Sequence, residues 1–101
     1  MQDFAKYSYE ELYRYYQFRR EDGLDGLADL ETISSHTVTC VDVETGDDKT
    51  AEMIDGSSVV DGTMVEYLLK NGTAGKRYLV IIRAVTSNGQ TFEGRKMIVI
   101  K

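Results

Sequence analysis

The chain has 101 residues, a formal net charge of −5 and a single cysteine, with 42% hydrophobic and 29% charged residues. That length supports one domain with one modest core, and the acidic balance is wrong for gripping bare phosphate backbones. Cys40 alone excludes an internal disulfide and a multi-thiolate zinc site. No apolar run approaches the roughly 18 residues of a membrane span, and the opening MQDFAKYSYEEL carries acids and tyrosines where a signal peptide would carry an apolar stretch. The expectation is a protein made and assembled in the cytoplasm, with neither a nucleic-acid nor a membrane partner.

The chain divides near Leu30, into a docking arm over residues 1–30 and a β domain over residues 31–101. In the arm, Ser8 and Glu11 have the spacing of a capping box, and Tyr7 and Leu12 that of a hydrophobic staple. Tyr9, Leu12, Tyr13 and Tyr16 recur on one face at helical period, and Glu10 stands four residues before Arg14. These signals predict a short helix that Asp22-Gly23 ends. The rival is an extended arm, because tyrosine and phenylalanine also favour strands. Aromatic and basic residues interleave in YRYYQFRR, over Tyr13 to Arg20. Such a mixture can stack on single-stranded nucleic acid, but tyrosine and arginine are also the commonest anchors of protein interfaces. The net acidity favours a protein partner. Tyr9, Tyr13, Arg14, Tyr16, Phe18, Arg19 and Arg20 are the candidate partner-binding residues.

From Thr32 onward the chain alternates and turns. With no proline and nine glycines, its turns must be built from Gly, Asn and Asp. HTVTCVDVE alternates and stops at TGDD; KTAEMI and SSVV are short runs ended by Asp55-Gly56 and Asp61-Gly62. In TMVEYLLK, Thr63, Val65, Tyr67 and Leu69 share one face, with Glu66 and Lys70 on the other. Asn71-Gly72 turns the chain into its longest strand, where Tyr78, Val80, Ile82 and Ala84 lie opposite Arg83. Asn88-Gly89 reads as a two-residue hairpin into Thr91 to Ile100. Six or seven short strands with glycine turns make an all-β protein, an antiparallel β-sandwich with an N-terminal appendage. Tyr78 heads its strand behind a glycine turn, as does the tyrosine that latches one corner of immunoglobulin-like sandwiches. Gly72, Gly75 and Tyr78 are therefore the expected structural corner.

No reaction centre emerges. His36 and Cys40 lie four residues apart on one strand, roughly 13 Å, so they form no catalytic dyad. Asp42, Glu44, Asp47 and Asp48 offer oxygen ligands but lack the spacing of an EF-hand loop, and a solvated hairpin tip accounts for them. NGTAGK lacks the phosphate-loop spacing and precedes a strand rather than a helix. The chain is expected to be no enzyme and to carry neither cofactor nor metal.

TISSHTVTC, followed by MIDGSSVVDGTMVEYLLKNGTAGKRYLVIIRAVTSNGQTFEG, resembles small structural proteins of tailed bacteriophages and prophages, the fibre–tail adaptor or head–tail connector type. The pattern is T-I-x-S-x-x-V-T, G-T-A-G-x-x-Y and T-x-x-G. It falls here on Thr32-Ile33, Ser35, Val38-Thr39, Gly72 to Gly75, Tyr78, Thr86 and Gly89. The family pattern carries a tryptophan-containing extended segment ahead of it, and this chain has no tryptophan. The resemblance implies an immunoglobulin-like module of the virion neck or tail, joining larger components, possessing no catalytic residues and acting in several copies around a symmetry axis. A carbohydrate- or surface-binding sandwich, with tyrosines stacked on sugars, is the alternative. Against it, the tyrosines cluster ahead of the strands rather than in loops at one end.

Overall fold

The computed structural model describes residues 2–7, 9–18, 32–60 and 62–101. Seven strands run in chain order: β1 (Gln2–Lys6), β2 (Leu12–Gln17), β3 (Ile33–Asp42), β4 (Ile54–Val60), β5 (Met64–Leu69), β6 (Arg77–Thr86) and β7 (Thr91–Ile100). One helical turn, α1 (Thr50–Met53), precedes β4. The strands form a four-stranded sheet of order β1-β7-β6-β3 and a three-stranded sheet of order β2-β5-β4. All pairings are antiparallel except β1 with β7.

The core follows the period-two pattern. Val65, Tyr67 and Leu69 of β5 and Tyr78, Val80, Ile82 and Ala84 of β6 are buried, as are Val38 and Cys40 of β3 and Ile98 and Ile100 of β7. They form one cluster with Phe18, Ile33 and Met53, so a single core is shared by both sheets. Burying each such aliphatic or aromatic side chain contributes roughly 1.5–3 kcal/mol.

The N-terminal segment departs from the helix that its spacing predicts. Tyr7 and Glu10 close one turn: the Glu10 N–H donates to the Tyr7 carbonyl at 3.1 Å, and Glu10 Oε1 accepts from the Tyr7 N–H at 2.7 Å. The chain then extends as β2, pairing Leu12 to Gln17 with Leu69 to Met64. Ser8 of the expected capping box lies outside the described residues, and the turn that forms is closed by Glu10 instead. The edge of β5 then offered backbone partners and cross-strand packing to a segment rich in β-favouring tyrosine. Both β1 and β2 are thus built into the sheets, rather than standing outside them as an arm.

Two turns and one short run also differ. Asp55-Gly56 does not end a strand; Gly56, at φ 86°, sits where the β4–β5 register slips between Ile54 and Ser57, a bulge. KTAEMI is not a strand, because Thr50 to Met53 coil into α1 and bury Met53 in the core. The β6–β7 hairpin has a three-residue loop, with the Thr86 N–H bonding the Gln90 carbonyl at 2.8 Å. Only Gly89 of that loop takes a positive φ, whereas a two-residue type I′ turn needs two such residues.

One end of the sandwich is latched by polar contacts. The Tyr78 hydroxyl accepts the Thr73 N–H at 3.0 Å, and Gly72 and Gly75, at φ 99° and 87°, shape the loop between them. The buried Asp42 accepts the Glu44 N–H at 2.8 Å on Oδ1 and the Lys76 ammonium at 2.9 Å on Oδ2. The Lys76 hydrogen bond, followed by the Glu44 one, holds the Asp42 carboxyl below its ordinary range against the opposing effect of burial. A depressed carboxylate stabilises the fold fully above its unfolded pKa and loses that contribution as pH falls through the folded value. We expect the melting temperature of the wild type to fall between about pH 5 and pH 2. Asp42→Asn should melt lower at pH 7 and show a flatter acid slope, measured by circular dichroism; parallel slopes would refute this.

Candidate functional site

Strand alternation sorts the N-terminal aromatic residues into two groups. On β2, Leu12, Arg14 and Tyr16 face inward and are half-buried, while Tyr13 and Tyr15 face outward, 63% and 52% exposed. Tyr13 pairs with Leu68, Tyr15 with Glu66 and Gln17 with Met64. The outer face of the three-stranded sheet therefore carries two exposed tyrosines beside half-buried Met64 and Leu68. The Tyr15 hydroxyl bonds Glu66, which with that carboxylate's charge raises its pKa. Ahead of β2, Tyr7 and Tyr9 stack at 5.8 Å with an interplanar angle of 19°, and Tyr9 is 81% exposed.

The remaining partner-binding candidates separate. Phe18 is buried in the core, tilted against Tyr16 and Phe92 at centroid distances of 4.8 and 6.5 Å. An apolar ring at the end of an inner-facing series is drawn into the core, so Phe18 is structural. Tyr16 packs on the core with its ring against Gly94. Arg19 and Arg20 lie outside the described residues. The structure thus leaves Tyr9 and Tyr13 exposed and Arg14 half-buried on the opposite face of β2 from Tyr13, and sets beside Tyr13 on the outer face Tyr15, which strand period would have selected and helical period hides.

A second surface escaped the sequence analysis. The outer face of the four-stranded sheet places Leu79 between Val41 and Met97, and pairs Ile81 with Thr39 and Arg95. Val43 is 40% exposed beyond this row. The far half of the same face is polar: Glu93 accepts from Arg83 at 2.8 Å and from Arg95 at 2.7 Å, which holds its carboxyl below the ordinary range. The signal was present in RYLVIIRAVT, which is apolar on both faces over Leu79 to Ile82, whereas a strand with one wet face alternates cleanly.

The groups examined for chemistry are committed to structure. Cys40 is fully buried, its thiol pushed up to about 12 chiefly by burial and set 3.8 Å from the Met53 sulfur, so it is inert. His36 Nε2 lies 3.0 Å from Ser57 Oγ rather than against Cys40. Asp42 is occupied by its turn and by Lys76, and among the described residues no three His, Cys, Asp or Glu side chains are grouped to hold a metal.

A search against curated proteins returned no match. The family model described as podophage GP4 fiber-tail adaptor protein gp77 matches residues 13–99. That match begins on β2 and runs to the penultimate residue of β7, taking in the three-stranded sheet and β3, β6 and β7 of the other, with β1 outside it. The chain therefore belongs to the podophage GP4 fiber-tail adaptor family.

Proposed function

We propose that the protein is a non-catalytic part of the virion neck or tail that joins fibre to tail. In this reading it is an immunoglobulin-like block, present in several copies around a symmetry axis and assembled in the host cytoplasm. Two features support the immunoglobulin-like assignment. The order β2-β5-β4 corresponds to strands B-E-D of that fold and β7-β6-β3 to G-F-C, with β1 added beside β7. Tyr78, heading β6, makes the corner bond expected of a tyrosine at the start of strand F. The observation that carries the docking role is the exposed pair Tyr13 and Tyr15 on the outer face of β2, beside Met64 and Leu68. Large amphipathic rings that the fold does not bury are the residues that interfaces use as anchors. An adaptor also needs two surfaces, and the apolar half of the opposite sheet supplies a second.

The test is Tyr13→Ser combined with Tyr15→Ser. Both positions are exposed, so the variant should melt within about 0.5 kcal/mol of wild type. Its binding to tail and fibre components, measured by co-sedimentation with assembled tails, should weaken roughly 10- to 100-fold. Wild-type binding by the variant, or saturable glycan binding by the isolated protein through these tyrosines, would overturn the proposal.

A further inference from the structure

The three-stranded sheet ends at β2 in an edge that no strand among the described residues pairs with. The Phe18 N–H donates to the Thr63 carbonyl at 3.0 Å, and the register sets Gln17 against Met64 and so Phe18 against Thr63. In an antiparallel pair, successive residues turn their N–H and C=O groups alternately toward the partner strand and away from it. Phe18, Tyr16, Arg14 and Leu12 therefore direct theirs at β5, while Tyr13, Tyr15 and Gln17 direct theirs outward. On β5 the phase agrees: Lys70, one position past Leu69, sends its N–H the other way, to the Met53 carbonyl at 2.9 Å.

Two other edges are guarded against pairing. On β3, the Cys40 N–H donates to Thr50 Oγ1 at 2.9 Å and its carbonyl accepts the Lys49 N–H at 2.7 Å. The register of β4 slips between Ile54 and Ser57, and such bulges spoil an edge as a template. By contrast, β2 runs in unbroken register with β5. Its consecutive residues Tyr13, Arg14 and Tyr15 line one cavity of about 210 Å³ with Tyr67 and Lys96. Side chains on a strand alternate between faces, so consecutive residues share a cavity only where it borders the strand's edge. In the immunoglobulin-like reading β2-β5-β4 are strands B-E-D, and that fold continues the sheet past B with strand A. Here the N-terminal strand β1 joins β7 in the other sheet instead.

We propose that the β2 edge accepts a strand from a partner protein, an extended segment that pairs antiparallel with Tyr13, Tyr15 and Gln17 in the position of strand A. In strand addition the main-chain hydrogen bonds supply affinity and alternate side chains select the partner. Outward side chains of the added strand stand beside Tyr13 and Tyr15, which suits aromatic or β-branched residues. Its inward side chains enter the cavity beside Arg14, Tyr67 and Lys96, and charged residues facing inward guard an edge against indiscriminate apolar strands. The donor segment is therefore apolar on its outer face and polar on its inner one. The edge is continuous with the exposed Tyr13 and Tyr15 pair, so giving the donor to a partner protein rests on the adaptor reading. Strand addition itself can be measured on the isolated chain.

The probe is an acetylated, amidated octapeptide of alternating threonine and valine, flanked by lysines for solubility. It is used unmodified, N-methylated at every valine, and N-methylated at every threonine. Residues that exchange hydrogen bonds with Tyr13 and Tyr15 lie on the same face as those tyrosines, so the valine N–H groups are the ones aimed at β2. In the free chain, the Tyr13, Tyr15 and Gln17 amides should exchange faster than those of Arg14 and Tyr16. The unmodified and threonine-methylated peptides should slow the first three saturably, by about tenfold or more; the valine-methylated peptide should not. Gln17→Pro removes one outward donor and leaves the β5 ladder and both tyrosines in place, so it should fold and bind the peptide several-fold more weakly. If it fails to fold, the methylated peptides carry the test. Edge amides already protected in the free chain, by its own residues or by a second copy, would overturn the proposal. So would equal protection by all three peptides, or protection by none. Slowed exchange with the peptide, in a protein whose Tyr13 and Tyr15 variant still assembles, would sink the docking reading and leave the edge standing; failed assembly of that variant with no protection by any peptide would do the reverse.

Discussion

Removing residues 1–20 is expected to unfold the protein. From their helix-like spacing and position ahead of the strands, these residues look like a dispensable arm, and their deletion would then leave the domain intact. In the structure they supply an outer strand to each sheet. Deletion takes away the backbone partners of β5 from Leu69 to Met64 and reduces its sheet to two strands, too few to be stable unless packed elsewhere. It also removes Phe18 and Tyr16 from the core, each contributing roughly 1.5–3 kcal/mol when fully buried. Lys6 goes too: it is buried, and its ammonium donates to the Asn71 carbonyl at 2.7 Å, while its own carbonyl accepts the Lys101 N–H at 2.8 Å. A domain of this size has only about 5–15 kcal/mol of stability in total. Thermal melts and amide exchange of the truncated chain should show no cooperative transition. A cooperative melt within a few degrees of the full chain would show that β1 and β2 are accessories after all.

The second large effect is expected at Gly94. Its φ is not in the left-handed region, so backbone freedom is not the reason for glycine there. A methyl group added at this position would fall inside the Tyr16 ring. The Tyr16 ring cannot retreat freely, because it packs on Phe18 at 4.8 Å and carries Lys96 on its face. Overpacking of this kind costs about 1–3 kcal/mol, and Gly94→Ala should lie at the upper end, a fall in melting temperature on the order of 10 °C. Tyr16→Ala alone should also destabilise. The double substitution should be less harmful than the sum of the two, with a coupling of about 1 kcal/mol or more by urea denaturation. Strictly additive losses would mean that Tyr16 and Gly94 do not press on one another in solution.

Gly94 illustrates how far a sequence can be read. In TFEGRK a glycine inside a strand signals a close approach or a bulge without saying what approaches; the ring comes from Tyr16, 78 positions earlier in the chain. Likewise Arg14 and Lys96 appear in the sequence as two unrelated surface cations. They share a cavity only because β2 lies over β7.

What the sequence determined by itself is the β class and the inner faces of the long strands. Both rest on period-two alternation and on glycine turns, which are local physics. Val80, Ile82 and Ala84 could be assigned to the core because each strand writes its own two faces into its spelling. The helix expected near Tyr9 to Tyr16 had equally local support, yet β5 decided the outcome by offering that segment a row of backbone partners no isolated peptide has. Tertiary structure alone decided which of the N-terminal tyrosines turns toward the core, which sheet edge the N-terminus completes and which charges meet. Those outcomes depend on contacts between residues far apart in the chain, whose energies outweigh the fractions of a kcal/mol by which local propensities differ.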